Sequence, residues 1–356
     1  MSAPLILVIE AAGNGGTEVY VEGLARHLSQ HRPVEIVTLS GDAATVRDRF
    51  PDLETTALPG PAALRDLLRA RHGAVVNLHL YTSLWPAARA VRAARAPLLI
   101  TLHQPLAPWN AWHRLRWRLA VALADQVIGV SGACLLGFGP LLRPARSSVV
   151  SGPLPLDTLP APVAPAADLR APRVLFVGRL SPEKDLPTLL RAVAAVSDAR
   201  LDVIGDGAER ELCETLAKDL NLDVCFHGAL PRDDVFKTMQ TADIFVLPSR
   251  FEGLGIAAIE AMALGVPTVV ADFPAASDYI LPERTGLIFP VGDHAALAKC
   301  LTKLAKDHTL RQTLSVEGSS HVRDVFSEDV QYGKYTALLR SVGCAANCCK
   351  IAPREE

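Results

Sequence analysis

The chain has 356 residues, of which 49% are hydrophobic, 21% charged and 5% aromatic. That length predicts about two domains, the apolar content excludes a disordered chain, and a net charge of -2 without a basic run gives no indication of nucleic-acid binding. The seven cysteines are odd in number and no secretion signal is predicted, so reduced thiols in a cytoplasmic protein are expected.

Residues 1–152 alternate short apolar runs with helical patterns. The predicted strands are 5–9, 34–39, 74–78, 98–102 and 127–130. Such runs are typical of a parallel sheet covered by helices on both faces, so this half is predicted to be one α/β domain. The weakly charged stretch 119–142 contains Asp125 and several glycines, which predicts a helix, a buried strand and a helix instead of a membrane span.

A glycine-rich loop at 13–18 follows the first predicted strand. Glu18 stands where the dinucleotide fingerprint has its third glycine, and no acidic residue follows the second strand until Asp42. An NAD-dependent dehydrogenase is therefore not favoured.

Two histidines, His79 and His103, end predicted strands of this half. They stand at the sheet edge where parallel α/β domains bind ligands. A histidine at a strand end is also a common structural residue, so both interpretations stay open.

Residues 109–118 combine three tryptophans with three arginines, in a half that holds 15 arginines against 10 acidic residues. Interleaved aromatic and cationic side chains suit a helix lying on anionic lipid, or an acceptor site. A packing face is the alternative interpretation.

The segment 151–172 is rich in proline and alanine and shows no periodicity, which predicts an interdomain linker over 153–172. The strand and helix alternation then restarts, with predicted strands at 174–177, 200–204, 224–226, 244–247, 268–270 and 287–289. A second α/β domain is expected at 173–324, followed by a helix at 325–342 and a tail at 343–356. Cys344, Cys348 and Cys349 lie in this tail, where no metal site is expected and their role stays open.

Loops after three predicted strands of the second domain carry glycines and polar residues. Gly178 and Arg179 open a loop that reaches Lys184 before a helix, and two cations in such a loop suit a diphosphate. Two solvated surface cations are the alternative. The other two loops contain Gly205, Asp206, His227 and Gly228.

Two glutamates bracket seven residues, with Glu252 in a predicted loop and Glu260 on a predicted helix. Between them, the N–H groups of Gly253, Leu254 and Gly255 are expected to open the helix unpaired and to attract phosphate. An α-helix rises about 12 Å over eight residues, which is roughly the length of a sugar diphosphate between its hexose and its ribose. A surface helix with two acids eight residues apart is the alternative.

The stretch 249–267 resembles the Glu-x7-Glu motif of retaining GT-B-fold glycosyltransferases, in particular family 4 (glycosyl transferases group 1). The resemblance extends over residues 5–340. It implies an α/β protein of the GT-B fold, with two Rossmann-like, doubly wound parallel-sheet domains facing a cleft, and a last helix that packs back on the first domain.

The resemblance also implies roles for individual residues. Glu252 is expected to contact hydroxyls of the donor sugar, and Glu260 the ribose of the nucleotide. The loop from Gly178 to Lys184 resembles the family's Gly-Arg-x5-Lys-Gly pattern with one residue fewer and with Asp185 in place of the last glycine. The catalytic residues that the resemblance implies are His103, Arg179, Lys184 and Glu252. The residues that it implies for donor binding are Gly15, Gly16, Gly178, Arg179, Lys184, Gly205, Asp206, His227, Gly228, Glu252, Gly253, Leu254, Gly255 and Glu260.

The implied activity is the retaining transfer of a hexose from a UDP- or GDP-sugar to a hydroxyl acceptor, lipid-linked acceptors included, in glycolipid, polysaccharide or cell-surface glycan synthesis. No Asp-x-Asp cluster stands in a suitable loop, so neither a metal nor another cofactor is expected. The predicted location is the cytoplasm, with peripheral contact to the inner membrane face through 109–118. A GT-B phosphorylase or epimerase and a noncatalytic nucleotide-sugar-binding protein are the alternatives.

Overall fold

The computed structural model describes residues 3–13, 15–152, 154, 156–169 and 171–348. These residues divide into two compact units. The first contains the chain up to Leu154 together with the segment from Glu328 onward, and the second contains the residues between them up to Ser327.

Both units are built on parallel strands. The first unit contains β1 (Leu5–Ile9), β2 (Val34–Thr38), β3 (Glu54–Ala57), β4 (Val75–His79), β5 (Leu98–Leu102), β6 (Gln126–Gly129) and β7 (Ser147–Val149). The second contains β8 (Arg173–Val177), β9 (Arg200–Ile204), β10 (Asp223–Gly228), β11 (Ile244–Leu247), β12 (Thr268–Ala271) and β13 (Leu287–Phe289).

Helices connect these strands, because parallel neighbours need a crossover from one end of the sheet to the other. In chain order they are α1 (Gly16–Ser29), α2 (Ala43–Arg49), α3 (Pro61–Ala70), α4 (Leu84–Ala93), α5 (Ala111–Leu123), α6 (Gly132–Leu135), α7 (Leu186–Val193), α8 (Arg210–Asp219), α9 (Arg232–Gln240), α10 (Ile256–Ala263), α11 (His294–Lys306), α12 (His308–Phe326) and α13 (Glu328–Cys348).

The strand order identifies the place in each sheet where a ligand is expected. The order is β3-β2-β1-β4-β5-β6-β7 in the first unit and β10-β9-β8-β11-β12-β13 in the second. The winding direction reverses between β1 and β4, and again between β8 and β11. In doubly wound sheets, ligands bind at the carboxyl ends of the strands at this reversal.

The predicted doubly wound parallel sheets are confirmed, and so are the helix, strand and helix predicted for 119–142. Strands β1, β2, β4 and β5 are buried along their whole length, which explains why apolar residues predominate in their sequences. Among the residues that the structure describes, none of the helices combines the length and the apolar character needed to cross a bilayer.

Helix α13 belongs to the first unit and begins at Glu328, whereas the sequence places a helix start at residue 325, inside α12. The Tyr335 hydroxyl accepts a hydrogen bond of 2.7 Å from Asn77 Nδ2 on β4. Tyr332 stacks on His27 at a ring-centroid distance of 3.6 Å and donates to the Gly23 carbonyl. Cys349 lies outside the described residues, as do the side chains of Cys344 and Cys348.

The proline-rich segment before β8 packs along the second unit over its described residues. The Val163 N–H donates to the Leu264 carbonyl at 3.0 Å, and Arg311 donates to the Ala166 carbonyl at 2.8 Å. The buried Arg311 side chain thus satisfies backbone carbonyls that have no strand partner.

Candidate active site

Two loops meet at the carboxyl edge of the second sheet, where β8 and β11 lie side by side. We call residues 178–185 the β8 loop and residues 248–255 the β11 loop. Lys184 Nζ of the first lies 2.5 Å from Glu252 Oε1 of the second. The Arg250 N–H also donates to the Glu183 carbonyl at 2.8 Å. The structure therefore brings together two residues, Lys184 and Glu252, that the sequence assigned to different parts of the donor.

Among the residues that the structure describes, one oxygen of the Glu252 carboxylate makes all of its hydrogen bonds. Oε1 accepts hydrogen bonds from Lys184 and from Ser249 Oγ, the latter at 2.7 Å. Within the described residues, Oε2 makes no hydrogen bond, and the side chain is 12% exposed. A carboxylate fixed on one side and open on the other is suited to accept hydrogen bonds from a sugar hydroxyl.

The helix after this loop begins later than the sequence indicates. Its first residue is Ile256, and Gly255 precedes it with a φ of 92°. The prediction that Gly253, Leu254 and Gly255 supply the first N–H groups of the helix is therefore wrong. The predicted helical rise of about 12 Å from Glu252 to Glu260 is also wrong, because the chain from Glu252 to Gly255 is not helical. The first intrahelical bond comes from Ala258, so the N–H groups at the helix N-terminus are those of Ile256 and Ala257.

Gly255 is required by both its backbone conformation and its surroundings. A φ of 92° disfavours any L side chain, and a methyl group there would lie 2.6 Å from the Tyr279 hydroxyl. That hydroxyl is fully buried and has no hydrogen-bond partner in the described structure. The glycine lets the chain turn sharply, so that Glu252 and the start of α10 face the same edge of the sheet.

Glu260 lies on α10 and forms an ion pair that the sequence did not reveal. Arg232 Nη2, at the first residue of α9, donates to Glu260 Oε1 at 2.7 Å. Burial raises the pKa of Glu260, and Arg232 only partly opposes this shift. The Glu260 side chain is 13% exposed and the Arg232 side chain 44% exposed. Arg232 is thus a further cation near these loops, and the sequence analysis did not identify it.

Asp185 stands where the family pattern has a glycine, and its backbone adopts a conformation that glycine favours. Its φ of 49° lies in the left-handed region, which aspartate tolerates better than most residues do. Its buried carboxylate lies 3.2 Å from Arg250 Nε. Asp185 therefore forms the left-handed turn before α7 that a glycine would also form. Arg179, by contrast, is exposed, and its guanidinium forms neither a hydrogen bond nor an ion pair within the described residues.

The glycines after β8 and β9 allow two loops to touch through their backbones. A methyl group on Gly205 would overlap the Gly178 carbonyl, and the Gly178 N–H donates to the Ile204 carbonyl at 3.0 Å. Gly205 is explained by this close approach. Asp206 is exposed and accepts from the Gly207 N–H at 2.8 Å.

His227 and Gly228 are engaged with neighbouring strands. His227 Nε2 lies 2.6 Å from Asp202 Oδ1 on β9. The Gly228 carbonyl accepts from the Gly205 N–H at 2.8 Å. The resemblance implies that His227 and Gly228 contact the donor, and Asp202 is a partner of His227 that the sequence did not indicate.

In the first unit, the buried His79 and the half-buried His103 form a pair. His79 Nδ1 and His103 Nε2 are 2.9 Å apart at the ends of β4 and β5. Burial lowers the pKa of His103 to about 3, and burial together with the neighbouring ring places the pKa of His79 well below its usual value. Both rings are neutral at physiological pH, so one donates and the other accepts. Neither histidine therefore supplies a positive charge to this site.

The loop after β1 places Gly15 at the N-cap of α1 and Gly16 at its first residue. Asn14 lies outside the described residues. A methyl group on Gly15 would lie 2.8 Å from Glu18 Oε2, so the glycine makes room for that carboxylate. Glu10, which the sequence analysis missed, accepts hydrogen bonds from the N–H groups of Tyr81 and Ser83 at the end of β4.

The three tryptophans of 109–118 have different environments. Trp117 is buried and donates to the Tyr81 carbonyl at 2.8 Å. Trp109 packs against it at a centroid distance of 5.4 Å. Trp112 is 64% exposed. The packing interpretation is therefore correct for two of the three, and only Trp112 is available to a partner.

These features define the class of protein. Two doubly wound parallel sheets in series, each with glycine-rich loops at its reversal point, form the GT-B fold. The model of Glycosyltransferase Family 4 matches residues 14–135, and that of Glycosyl transferases group 1 matches residues 162–321. The chain belongs to this glycosyltransferase family.

Among proteins with assigned activities, the chain is similar to a GDP-mannose-dependent monoacylated alpha-(1-6)-phosphatidylinositol monomannoside mannosyltransferase from Corynebacterium glutamicum. The two are 32% identical over 48% of this chain and 47% of that protein. It is also similar to the lipopolysaccharide core biosynthesis glycosyltransferase LpsD of Rhizobium meliloti, with 35% identity over 51% and 54% of the two chains. The chain spans about half the length of these curated relatives.

A solved structure with the same fold is that of Anabaena Alr3699/HepE in complex with UDP and glucose. It matches with a TM-score of 0.83 and 19% sequence identity, over 95% of this chain and 100% of that one. At this level of identity the likeness establishes the fold.

Proposed function

We propose that this protein is a retaining glycosyltransferase that moves a hexose from a nucleotide-diphosphate sugar to a hydroxyl acceptor. The observation that carries the proposal is the Lys184–Glu252 pair at the reversal point of the second sheet, beside the N-terminus of α10. The Lys184 cation and the helix N-terminus suit a diphosphate, and the free Oε2 of Glu252 suits a sugar hydroxyl of the same ligand.

In the proposed reaction, the diphosphate leaves with its charge balanced by Lys184, Arg179 and the positive end of α10. Glu252 Oε2 accepts a hydrogen bond from a hydroxyl of the donor sugar, and Glu260 binds the ribose. A phosphate oxygen of the leaving group takes the proton of the incoming hydroxyl on the same face of the sugar. His103, being neutral, acts as a hydrogen-bonding partner of the sugar and carries no charge. Neither a metal nor another cofactor is invoked.

The donor and the pathway are proposed from the relatives. One relative is named as using GDP-mannose and a fold neighbour was solved with UDP and glucose, so both nucleotides are candidates. The relatives' names place them in phosphatidylinositol mannoside and lipopolysaccharide core synthesis. We propose an acceptor of the same class, a glycolipid or a polysaccharide, reached at the cytoplasmic face of a membrane.

A thermal-shift screen with UDP, GDP, ADP and their sugars tests the donor. A ligand at 100 times its Kd stabilises the native state by about 2.7 kcal/mol. For a unit of this size, that corresponds to a rise in Tm of roughly 5–10 °C. The preferred sugar donor is then incubated with acceptor, and the anomeric configuration of the product is read by NMR. Sugar release that requires phosphate would indicate a phosphorylase, and donor binding without transfer or hydrolysis would indicate a binding protein.

We further propose that α5 lies on an anionic membrane surface. Trp112, Leu115 and Leu119 recur on one side of this helix and are 64%, 48% and 42% exposed. Arg118 donates to the Gly137 carbonyl, which places the exposed Leu136 beside the helix. Exposed apolar groups next to arginines are the composition that interfacial helices use.

The double variant Trp112→Ser/Leu115→Ser should lose at least about tenfold in vesicle binding, because burying each side chain contributes about 1.5–3 kcal/mol. The measurement is co-sedimentation with phosphatidylserine/phosphatidylcholine vesicles, compared with phosphatidylcholine alone. Leu212→Ser is the matched control, since Leu212 is 54% exposed on α8 of the other unit. Equal binding by the double variant and the wild type would exclude this surface.

A further inference from the structure

A second group of side chains that bind metals or protons lies on the second sheet. Asp202 on β9 and Cys225 and His227 on β10 each offer one ligand atom, and these atoms all lie within 4.8 Å of one another. Cys225 stands opposite Asp202 in the strand register, and the register shifts between Phe226 and Gly228, at His227. Such bulges are a common means of redirecting a side chain.

The imidazole of His227 connects the other two residues through its two nitrogens. Nε2 lies 2.6 Å from Asp202 Oδ1, and Nδ1 lies 3.8 Å from Cys225 Sγ. A carboxylate on one nitrogen fixes the proton there, so the other nitrogen presents its lone pair to the sulfur. The same order of groups, carboxylate, histidine and metal, recurs at zinc sites, where the carboxylate orients the ligating ring.

The separation between Nδ1 and Sγ fits a bound cation. Zinc lies about 2.0–2.1 Å from histidine nitrogen and about 2.3 Å from cysteine sulfur. With a ligand angle between tetrahedral and trigonal, these lengths place the two ligand atoms roughly 3.6–3.8 Å apart. The observed 3.8 Å therefore needs little rearrangement. Cys225 is exposed, so a cation can reach the sulfur from solvent.

The two oxygens of the Asp202 carboxylate have different partners. Arg173 Nε lies 2.5 Å from Oδ2, which leaves Oδ1 for the ring of His227. The carboxylate thus holds the imidazole in the orientation in which Nδ1 faces Cys225 Sγ.

We propose that Cys225 and His227 bind a divalent cation of the zinc type, with Asp202 orienting the imidazole. Imidazole and thiolate are the ligands that zinc prefers, and binding displaces the thiol proton to solvent. Two protein ligands leave further positions for water. The cation would join residues two apart on the edge strand β10 next to Gly228, and it is not assigned a part in sugar transfer.

Cobalt titration of the full-length, reduced, chelator-treated protein tests the proposal. Cobalt bound by a thiolate gives a near-ultraviolet charge-transfer band, which we expect in the wild type and which excess zinc should remove. Cys225→Ser should lose the band, and His227→Gln should weaken or lose it. Asp202→Asn should weaken cobalt binding about 10- to 100-fold while the band is retained at saturation.

Two controls separate this site from the other thiols. Cys300→Ser, which alters a half-buried cysteine on α11, should keep the band. The triple variant Cys344→Ser/Cys348→Ser/Cys349→Ser should also keep it. Absence of the band in the wild type, its persistence in Cys225→Ser or its loss in the triple variant would each overturn the proposal. Melting curves of the metal-free variants confirm that each is folded.

Discussion

Replacing Lys184 with methionine should lower the rate of sugar transfer by about two to three orders of magnitude, the usual effect of removing one group that stabilises developing negative charge. Methionine retains most of the aliphatic stem but none of the charge. The expected loss is in kcat, because the charge on the diphosphate oxygen grows as the bond to the sugar breaks. Turnover with the preferred donor is the measurement.

The contact between Lys184 and Glu252 adds a second expectation. Methionine at 184 leaves a 12% exposed carboxylate without its cation, so the single variant should also melt at a lower temperature. Glu252→Gln should reduce turnover on its own, and the double variant should lose less than the sum of the two single losses, because the residues act as a unit.

Lys237→Met is the matched control. Lys237 lies in the same unit with a side chain 72% exposed, and its ion pair with Asp234 lies within one helix turn. An exposed pair of this kind contributes little, so this variant should keep both its Tm and its turnover. If Lys184→Met retained transfer within a fewfold of wild type, the proposed role of the β8 loop in catalysis would be wrong.

The sequence predicts those parts of the fold in which burial requires mostly apolar residues. Strands such as β1 and β5 are covered on both faces, so nearly every position is apolar. Two strands of the first sheet were missed. Strand β3 has the sequence Glu-Thr-Thr-Ala and β7 the sequence Ser-Ser-Val, and both lie at sheet edges, where a strand can form without an apolar run.

The candidate site shows a similar division. Lys184 and Glu252 could each be identified from local motifs, but they are 68 residues apart, and their contact depends on β8 lying next to β11. The partners that the sequence missed, Arg232 for Glu260 and Asp202 for His227, belong to pairs closed by tertiary packing. No fixed spacing along the chain indicates such pairs, since backbone topology decides which loops meet.

Helix geometry could have separated the tryptophans. Trp112 and Trp117 are five residues apart on α5, and at 3.6 residues per turn they point about 140° away from each other. One therefore faces the sheet while the other faces solvent, as the structure shows. Trp109 precedes the helix, so its position depends on the loop and could not be obtained from periodicity.

Replacing Glu260 with glutamine should weaken binding of the nucleoside diphosphate about 10- to 100-fold, because a hydrogen bond to a charged group contributes about 1.5–3 kcal/mol. Turnover at saturating donor should change little, since the ribose is far from the bond that breaks. Glu252→Gln should show the opposite pattern. Calorimetric titration with UDP and GDP, alongside steady-state kinetics, separates the two effects. Glu283→Gln, at an ion pair on the exposed surface of the same unit, is the control.

The titration of Glu260 gives this prediction a pH signature. Its pKa in the folded protein is raised above the ordinary value of 4.5, so the native state holds this proton more tightly than the unfolded chain. The contribution of this proton to the free energy of unfolding is fully present below pH 4.5. It is lost as the pH rises through the raised pKa of Glu260. Nucleotide affinity should follow the opposite course, rising over that window as the carboxylate forms. Glu260→Gln should abolish this pH dependence, and equal nucleotide affinity in wild type and variant would show that Glu260 does not bind the ribose.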